Sequence, residues 1–184
     1  NKIVKMIVVV IIAVLMAINL PIFTSQLEKY RRAVDLSNAR NMKSILMPDG
    51  ALYTNGGKTL YFYPSKKTGE YTIPEGVTEI ANDAFNGTNL TKLVIADSVT
   101  RMGEYAFSNS KTLQTIVFGK GIKVISRCCC SGNTALTTVT IPEGVTTVEN
   151  EAFVLCPALK EVTLPRSVTS EDNAFPANTN VTRL

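Results

Sequence analysis

The 184-residue chain contains no histidine and no tryptophan, and it has only four cysteines and 7% aromatic residues. Histidine is the usual general base near neutral pH and the commonest metal ligand, so its absence removes many classes of enzyme and metal site. The chain also has no phosphate-binding glycine-rich motif, no nucleophile-elbow motif and no paired-carboxylate pattern. We therefore predict that the protein is not an enzyme and that it binds neither a metal ion nor a cofactor.

Apolar residues are concentrated at the start of the chain. Residues 6–20 read MIVVVIIAVLMAINL, and with the residues up to 23 the run is long enough to cross a bilayer core of about 30 Å. Within lipid a helix satisfies every backbone amide internally, and Pro21 should kink that helix because it lacks an amide donor. An amphipathic pattern continues over residues 24–47 until the turn signal Pro48-Asp49-Gly50. The sequence predicts one long helix over residues 1–47, kinked near Pro21.

The positive charge follows the apolar run directly. The net charge is +4, and residues 1–47 alone carry seven Lys and Arg against two acidic residues, so residues 48–184 are close to neutral. A nucleic-acid-binding protein would instead carry a basic face interleaved with aromatic residues. We predict no nucleic-acid partner.

An apolar run that is broken by a proline and followed by the polar stretch EKYRRAVDLSNARNMKSI resembles the N-terminal helix of type IV pilins and pseudopilins. This resemblance implies storage in the membrane and assembly into a helical homo-oligomeric filament through packing of these helices. The residues expected to pack in the filament core are Val8, Ile11, Ile12, Leu15 and Pro21. A simple membrane anchor is the alternative, because Lys2 and Lys5 precede the apolar run as the positive-inside rule requires.

The rest of the chain repeats with a period of 22 or 23 residues. Three columns keep this period: Val77, Val99, Ile122, Val145 and Val168; Phe85, Phe107, Cys130, Phe153 and Phe175; Leu90, Leu113, Leu136 and Leu159. One such unit cannot bury its own apolar face, so we expect the units to stack into a solenoid with these columns in its core.

Each unit contains a short alternating segment, typical of a strand with one buried face, and Pro74, Pro142 and Pro165 should end three of these strands. Asn55-Gly56 predicts a hairpin turn between strands at 51–54 and 59–63 that caps the solenoid. Over residues 49–175 the pattern resembles the BspA-type leucine-rich repeats of bacterial surface proteins. The resemblance implies a short leucine-rich-repeat β-solenoid.

The outward positions of the predicted strands are candidates for binding a partner, because solenoids commonly bind through such faces. Solvated β-branched residues chosen for strand propensity are the simpler interpretation. The candidate residues are Lys92, Val94, Thr115, Val117, Thr138, Thr140, Glu161 and Thr163.

The cysteines match neither a zinc ribbon nor a regular disulfide framework, and Cys130 replaces the aromatic residue of its unit. A disulfide and buried thiols both remain open for them. The four residues are Cys128, Cys129, Cys130 and Cys156.

Taken together, the sequence predicts an α+β protein in which a long N-terminal α-helix, residues 1–47, is followed by a leucine-rich-repeat domain, residues 48–184. The predicted function is a structural subunit of an extracellular pilus-like filament, membrane-embedded before assembly, whose repeat face contacts a host or matrix protein. The alternative is a monomeric, membrane-anchored leucine-rich-repeat adhesin.

Overall fold

A computed structural model describes residues 45–184, and Ile45 and Leu46 by their backbone alone. The chain divides into two units, Asn1–Met42 and Lys43–Leu184, and every described residue belongs to the second. The filament-core residues named above, the kink at Pro21 and the predicted membrane span all lie outside the described residues.

The second unit is a solenoid in which each coil contributes one short strand to each of two rows. The back row consists of β1 (Ile45–Leu46), β2 (Leu52–Thr54), β3 (Thr59–Phe62), β5 (Glu79–Ile80), β7 (Arg101–Met102), β9 (Val124–Ile125) and β11 (Thr147–Val148). The front row consists of β4 (Thr68–Thr72), β6 (Asn89–Val94), β8 (Thr115–Val117), β10 (Thr138–Thr140), β12 (Glu161–Leu164) and β13 (Asn180–Arg183). Strands of successive coils pair in parallel, as a stack of equivalent units requires.

The α+β prediction is wrong for the part of the chain that the structure describes. Residues 45–184 form thirteen β-strands and one short 3-10 helix, with no α-helix among them. At its described end, the predicted helix is replaced by a strand: Ile45 pairs with Tyr53 and Leu46 with Leu52, both antiparallel. Within residues 45–184 there is also no helix with the length and apolarity needed to cross a membrane.

The turn after Met47 explains this difference. The amide of Gly50 donates to Met47 O and that of Met47 to Ala51 O, each at 2.9 Å, while Ala51 N donates to the Asp49 carboxylate. The chain therefore reverses and brings β1 alongside β2. Helical periodicity is a local signal, and here strand pairing across the turn overrides it.

The predicted capping hairpin is present. β2 and β3 pair antiparallel across the 3-10 turn Asn55–Gly57, and Gly56 has a positive φ of 66° that glycine adopts without strain. β3 then pairs in parallel with β5, so the hairpin joins β1 to the parallel strands of the back row.

Tyrosines fill the space under this cap. Tyr63 is 5% exposed and stacks on Phe85 with 5.0 Å between ring centroids, and the hydroxyls of Tyr53 and Tyr71 are 2.7 Å apart. Burial raises the pKa of Tyr63 to about 12, from an ordinary value of 10.0. The pKa of Tyr71 is raised as well, first by burial and then by its hydrogen bond with Tyr53.

This burial predicts a loss of stability at alkaline pH. A raised pKa means that the folded state favours the neutral hydroxyl, so the stabilisation is complete below pH 10.0 and is lost as pH rises through about 12. The melting temperature should therefore fall more steeply above pH 10.0 in the wild type than in Tyr63→Phe. Circular dichroism melting curves of both proteins across this range measure the difference. Parallel declines would contradict the assignment.

The three predicted columns form the core. The valine and isoleucine column is at most 3% exposed, and Phe85, Phe107 and Phe153 are at most 1% exposed. Rings of neighbouring coils touch, with centroids 5.5 Å apart for Phe85 and Phe107. Full burial of each such side chain stabilises the fold by about 1.5–3 kcal/mol.

Arg183, near the end of β13, contacts residues that follow β12. In the register of β12 with β13, Arg183 stands opposite the buried Leu164, where the inner coils have an apolar residue. Its guanidinium donates to Val168 O at 3.0 Å and forms an ion pair with Glu171. These two contacts tie β13 to residues that follow β12.

Candidate interaction surface

The front row presents two columns of outward side chains, which together we call the interaction face. The first column is Glu70, Lys92, Thr115, Thr138, Glu161 and Asn180. The second column is Thr72, Val94, Val117, Thr140, Thr163 and Thr182. All eight residues proposed from the sequence lie on this face, and none of them is buried.

Strand pairing sets the spacing within each column. In the sheet β4-β6-β8, Lys92 pairs with Thr115 and Val94 with Val117. In the sheet β10-β12-β13, Thr138 pairs with Glu161. The two halves of three strands meet where β8 contacts β10, although no continuous ladder joins them. Since neighbouring strands lie about 4.8 Å apart, the face repeats at that interval.

Four residues of the face were missed by the sequence analysis. Glu70 and Thr72 belong to β4, and Asn180 and Thr182 to β13. Two signals mark them: Pro74, already expected to end a strand, follows β4 as Pro142 follows β10, and the Val-Thr of residues 181–182 repeats the Val-Thr of β10 and β12.

Charge is sparse on the face. Lys92 Nζ lies 3.1 Å from Glu70 Oε2, in an ion pair whose side chains are 40% and 67% exposed. No ion pair of Glu161 is found among residues 45–184. The remaining members are uncharged and mostly β-branched, and Val117 is 44% exposed. β-branched side chains have few rotamers, and the backbone that carries them is a hydrogen-bonded sheet. The face is therefore preorganised in the unbound protein.

The cysteines lie elsewhere, in and near the core. All four are free and buried, and Cys156 Sγ donates to Cys130 O at 3.2 Å. Burial raises the pKa of Cys156 to about 11, and burial followed by the hydrogen bond with Cys129 raises that of Cys130. Since the thiolate is the nucleophile, a raised pKa favours the less reactive neutral thiol at Cys130 and Cys156.

Cys128 lies closer to the surface, where its Sγ is 3.4 Å from Glu151 Oε2. Burial is again the main reason that the pKa of this thiol is raised. Within the described part of the chain, no three Cys, Asp or Glu side chains are arranged to hold a metal ion. The prediction that the protein binds no metal or cofactor stays a prediction.

A column of buried residues with polar side-chain groups links neighbouring coils, and the sequence analysis missed it. Each member lies three residues after a position of the aromatic column. The members are Thr88, Ser110, Asn133 and Cys156. Asn133 Oδ1 accepts from Ser110 N at 2.9 Å, and the hydroxyls of Thr88 and Ser110 are 2.9 Å apart. These bonds hold the turns between strands and so keep the front row in register.

A stack of parallel strands, with leucines inside and an open, preformed sheet face outside, defines a leucine-rich-repeat protein. Residues 58–182 match the BspA type leucine rich repeat region in six copies, and the chain belongs to this family. None of the curated proteins matches the chain.

Three solved structures are similar to it. A leucine rich cell surface protein from Faecalibacterium prausnitzii superposes with a TM-score of 0.68 at 30% identity, over 76% of this chain and 39% of that protein. The pneumococcal vaccine antigen PcpA superposes at 0.65 with 24% identity, over 77% and 34% of the two chains. A leucine-rich repeat protein from Eubacterium ventriosum gives 0.50 at 22% identity, over 79% and 49%. The last two show the fold alone, and the chain spans less than half the length of each of the three.

Proposed function

We propose that this chain is a cell-surface interaction protein that holds a protein partner on its interaction face. The observation that carries the proposal is the uncovered face itself: twelve outward residues on six strands, none of them buried. A surface location is supported by the Faecalibacterium relative, which is described as a cell surface protein and is 30% identical to this chain.

The chemistry of the face favours a protein partner. Methyl groups and hydroxyls dominate it, with Glu70 and Lys92 in one half, Glu161 in the other and no aromatic ring. Sugars and single-stranded nucleic acids are usually held by stacking on aromatic rings, and nucleic acids also need a basic surface. A host or matrix protein with an extended segment of similar β-branched and polar character fits this surface better.

The filament subunit stays a prediction from residues 1–47, and the described residues do not support it. The residues expected to pack in a filament core lie outside residues 45–184. A monomeric, membrane-anchored adhesin would use the same interaction face and needs no assembly. The proposed function holds for either arrangement, because it depends on the repeat domain alone.

Attachment of beads to matrix protein tests the proposal. Beads that carry the full chain should bind at least one of collagen, laminin and fibronectin coats, and Thr140→Arg should lower that binding by about tenfold, since it places a long cation at the centre of the face. Thr134→Arg is the matched control, because Thr134 is exposed in a turn outside the front row. Binding to none of the coats, or equal binding by both variants, would argue against this function.

A further inference from the structure

Lys92 and Glu161 occupy equivalent positions on either side of the centre of the interaction face. Its six strands fall into two halves of three, β4-β6-β8 and β10-β12-β13, which meet where β8 contacts β10. We propose that this face pairs with the same face of a second copy of the chain, about a two-fold axis that lies between the faces, parallel to the strands. This inference rests on the proposed function of the face and names one of its partners.

The symmetry fixes which residues meet. An axis along the strands reverses the strand order and keeps the strand direction, so β6 of one copy lies over β12 of the other, and β8 over β10. Each column then faces its own equivalent. Thr115 meets Thr138 and Val117 meets Thr140, so the centre of the contact brings β-branched side chains together without a buried charge.

Charge decides in favour of this arrangement. Lys92 on β6 meets Glu161 on β12 of the second copy, and the symmetry produces this contact twice. Within residues 45–184 Glu161 has no ion pair, while Lys92 forms an ion pair with Glu70 and its side chain remains 40% exposed. A two-fold axis perpendicular to the strands would instead place the first column over the second, and Lys92 would then face an uncharged residue. Only the parallel axis pairs the opposite charges.

Because the face is small, we expect one copy of the chain to bind a second copy only weakly. Five strand spacings of about 4.8 Å give a contact about 24 Å long, and only two columns wide, which is smaller than a standard stable interface. Many copies on one surface raise the effective concentration, so the same contact can hold two surfaces together. The structure therefore assigns the face a role in contact between surfaces that carry this chain.

Clustering of two-colour beads tests this inference. The full chain is attached through its C-terminus to red and to green beads, in one mild detergent, so that residues 1–44 contribute equally to every sample. Wild-type beads should cluster. Lys92→Glu beads alone and Glu161→Lys beads alone should cluster about tenfold less, because each variant places like charges opposite each other.

A mixture of the two variants tests most directly whether Lys92 of one copy meets Glu161 of the other. Red Lys92→Glu beads and green Glu161→Lys beads should form mixed-colour clusters at the wild-type level, since both cross-pairs then join opposite charges. The chain with both substitutions should also cluster with itself. Wild-type clustering by either single variant, or a mixture that stays dispersed while both variants melt at the wild-type temperature, would overturn the inference.

The outcome is separable from that of the matrix assay. Suppose that Thr140→Arg loses matrix binding but that the charge substitutions at Lys92 and Glu161 do not change bead clustering. The proposed function would then stand, and the self-pairing would be refuted. Charge-dependent clustering without binding to any matrix coat would leave the self-pairing standing and remove the host or matrix protein as a partner.

Discussion

Replacing Phe118 by alanine is expected to lower the free energy of unfolding by about 3–5 kcal/mol, the range for large aromatic deletions in a core. Phe118 is 6% exposed, and its ring meets Phe153 edge to face with centroids 6.5 Å apart. Urea unfolding of the full chain, followed by circular dichroism, measures the change as a shift of the midpoint. A loss of less than about 1 kcal/mol would show that the ring is not part of the core.

The reason for so large an effect lies in the neighbouring cysteine. Cys130 occupies the aromatic column and interrupts it, while Phe118 of the same coil stands where the other coils have isoleucine or leucine. We therefore expect the ring of Phe118 to supply the volume that is missing at Cys130. Phe118 gives Phe153 the aromatic contact that a phenylalanine at 130 would otherwise provide.

Moving the large side chain from position 118 to position 130 tests this compensation. Cys130→Phe alone should overpack the coil and cost about 1–3 kcal/mol, whereas the double substitution Phe118→Ile/Cys130→Phe should restore stability close to that of the wild type. The double-mutant cycle would then show a coupling energy well above the scatter expected for independent sites. Additive effects of the two single changes would refute size compensation between these positions.

Gly119→Ala is expected to cost about 3 kcal/mol, at the upper end of the range for overpacking. A Cβ at this position would meet the carbonyl of Ala96 and would lie 2.8 Å from Ile95 O. Both obstacles are backbone atoms of the preceding coil and cannot rotate away. The midpoint of urea unfolding of the full chain provides the measurement.

Gly56→Ala is the comparison for this prediction. Gly56 has a positive φ of 66°, but no atom lies within 4 Å of the point that a Cβ would occupy, so its replacement should cost only the conformational strain, about 1–2 kcal/mol. A smaller loss for Gly119→Ala than for Gly56→Ala would mean that the coils can separate to admit a methyl group.

Much of the repeat domain was predictable from residue spacing. The core columns of Val77 and Phe85 recur with one period, and burial of an apolar residue in one coil implies burial of its equivalents in the next. The capping hairpin was predictable for a different reason, since Asn55-Gly56 favours a turn by its own backbone preferences. The eight proposed face residues followed from alternation along the strands.

The back row of strands was not predictable in this way. Its inner members, such as β5 and β7, are only two residues long and carry too few positions to show alternation. These strands form because the backbone of each neighbouring coil lies at hydrogen-bonding distance and in register. The strand that ends before Pro74 was predicted and is β4, but its face residues were not proposed, and β13 was missed because its unit departs from the repeat pattern.

By itself the sequence determined the period, the identity of the core columns and the position of the N-terminal cap, because these depend on local preferences repeated many times. Only the tertiary structure decided that Ile45 and Leu46 form a strand and that the ring of Phe118 contacts that of Phe153. It also decided that Gly119 must lack a side chain and that Lys92 and Glu161 lie symmetrically about the centre of one face. Each of these depends on the distance between atoms that are far apart in the chain or in neighbouring coils, and no spacing of residue types records that distance.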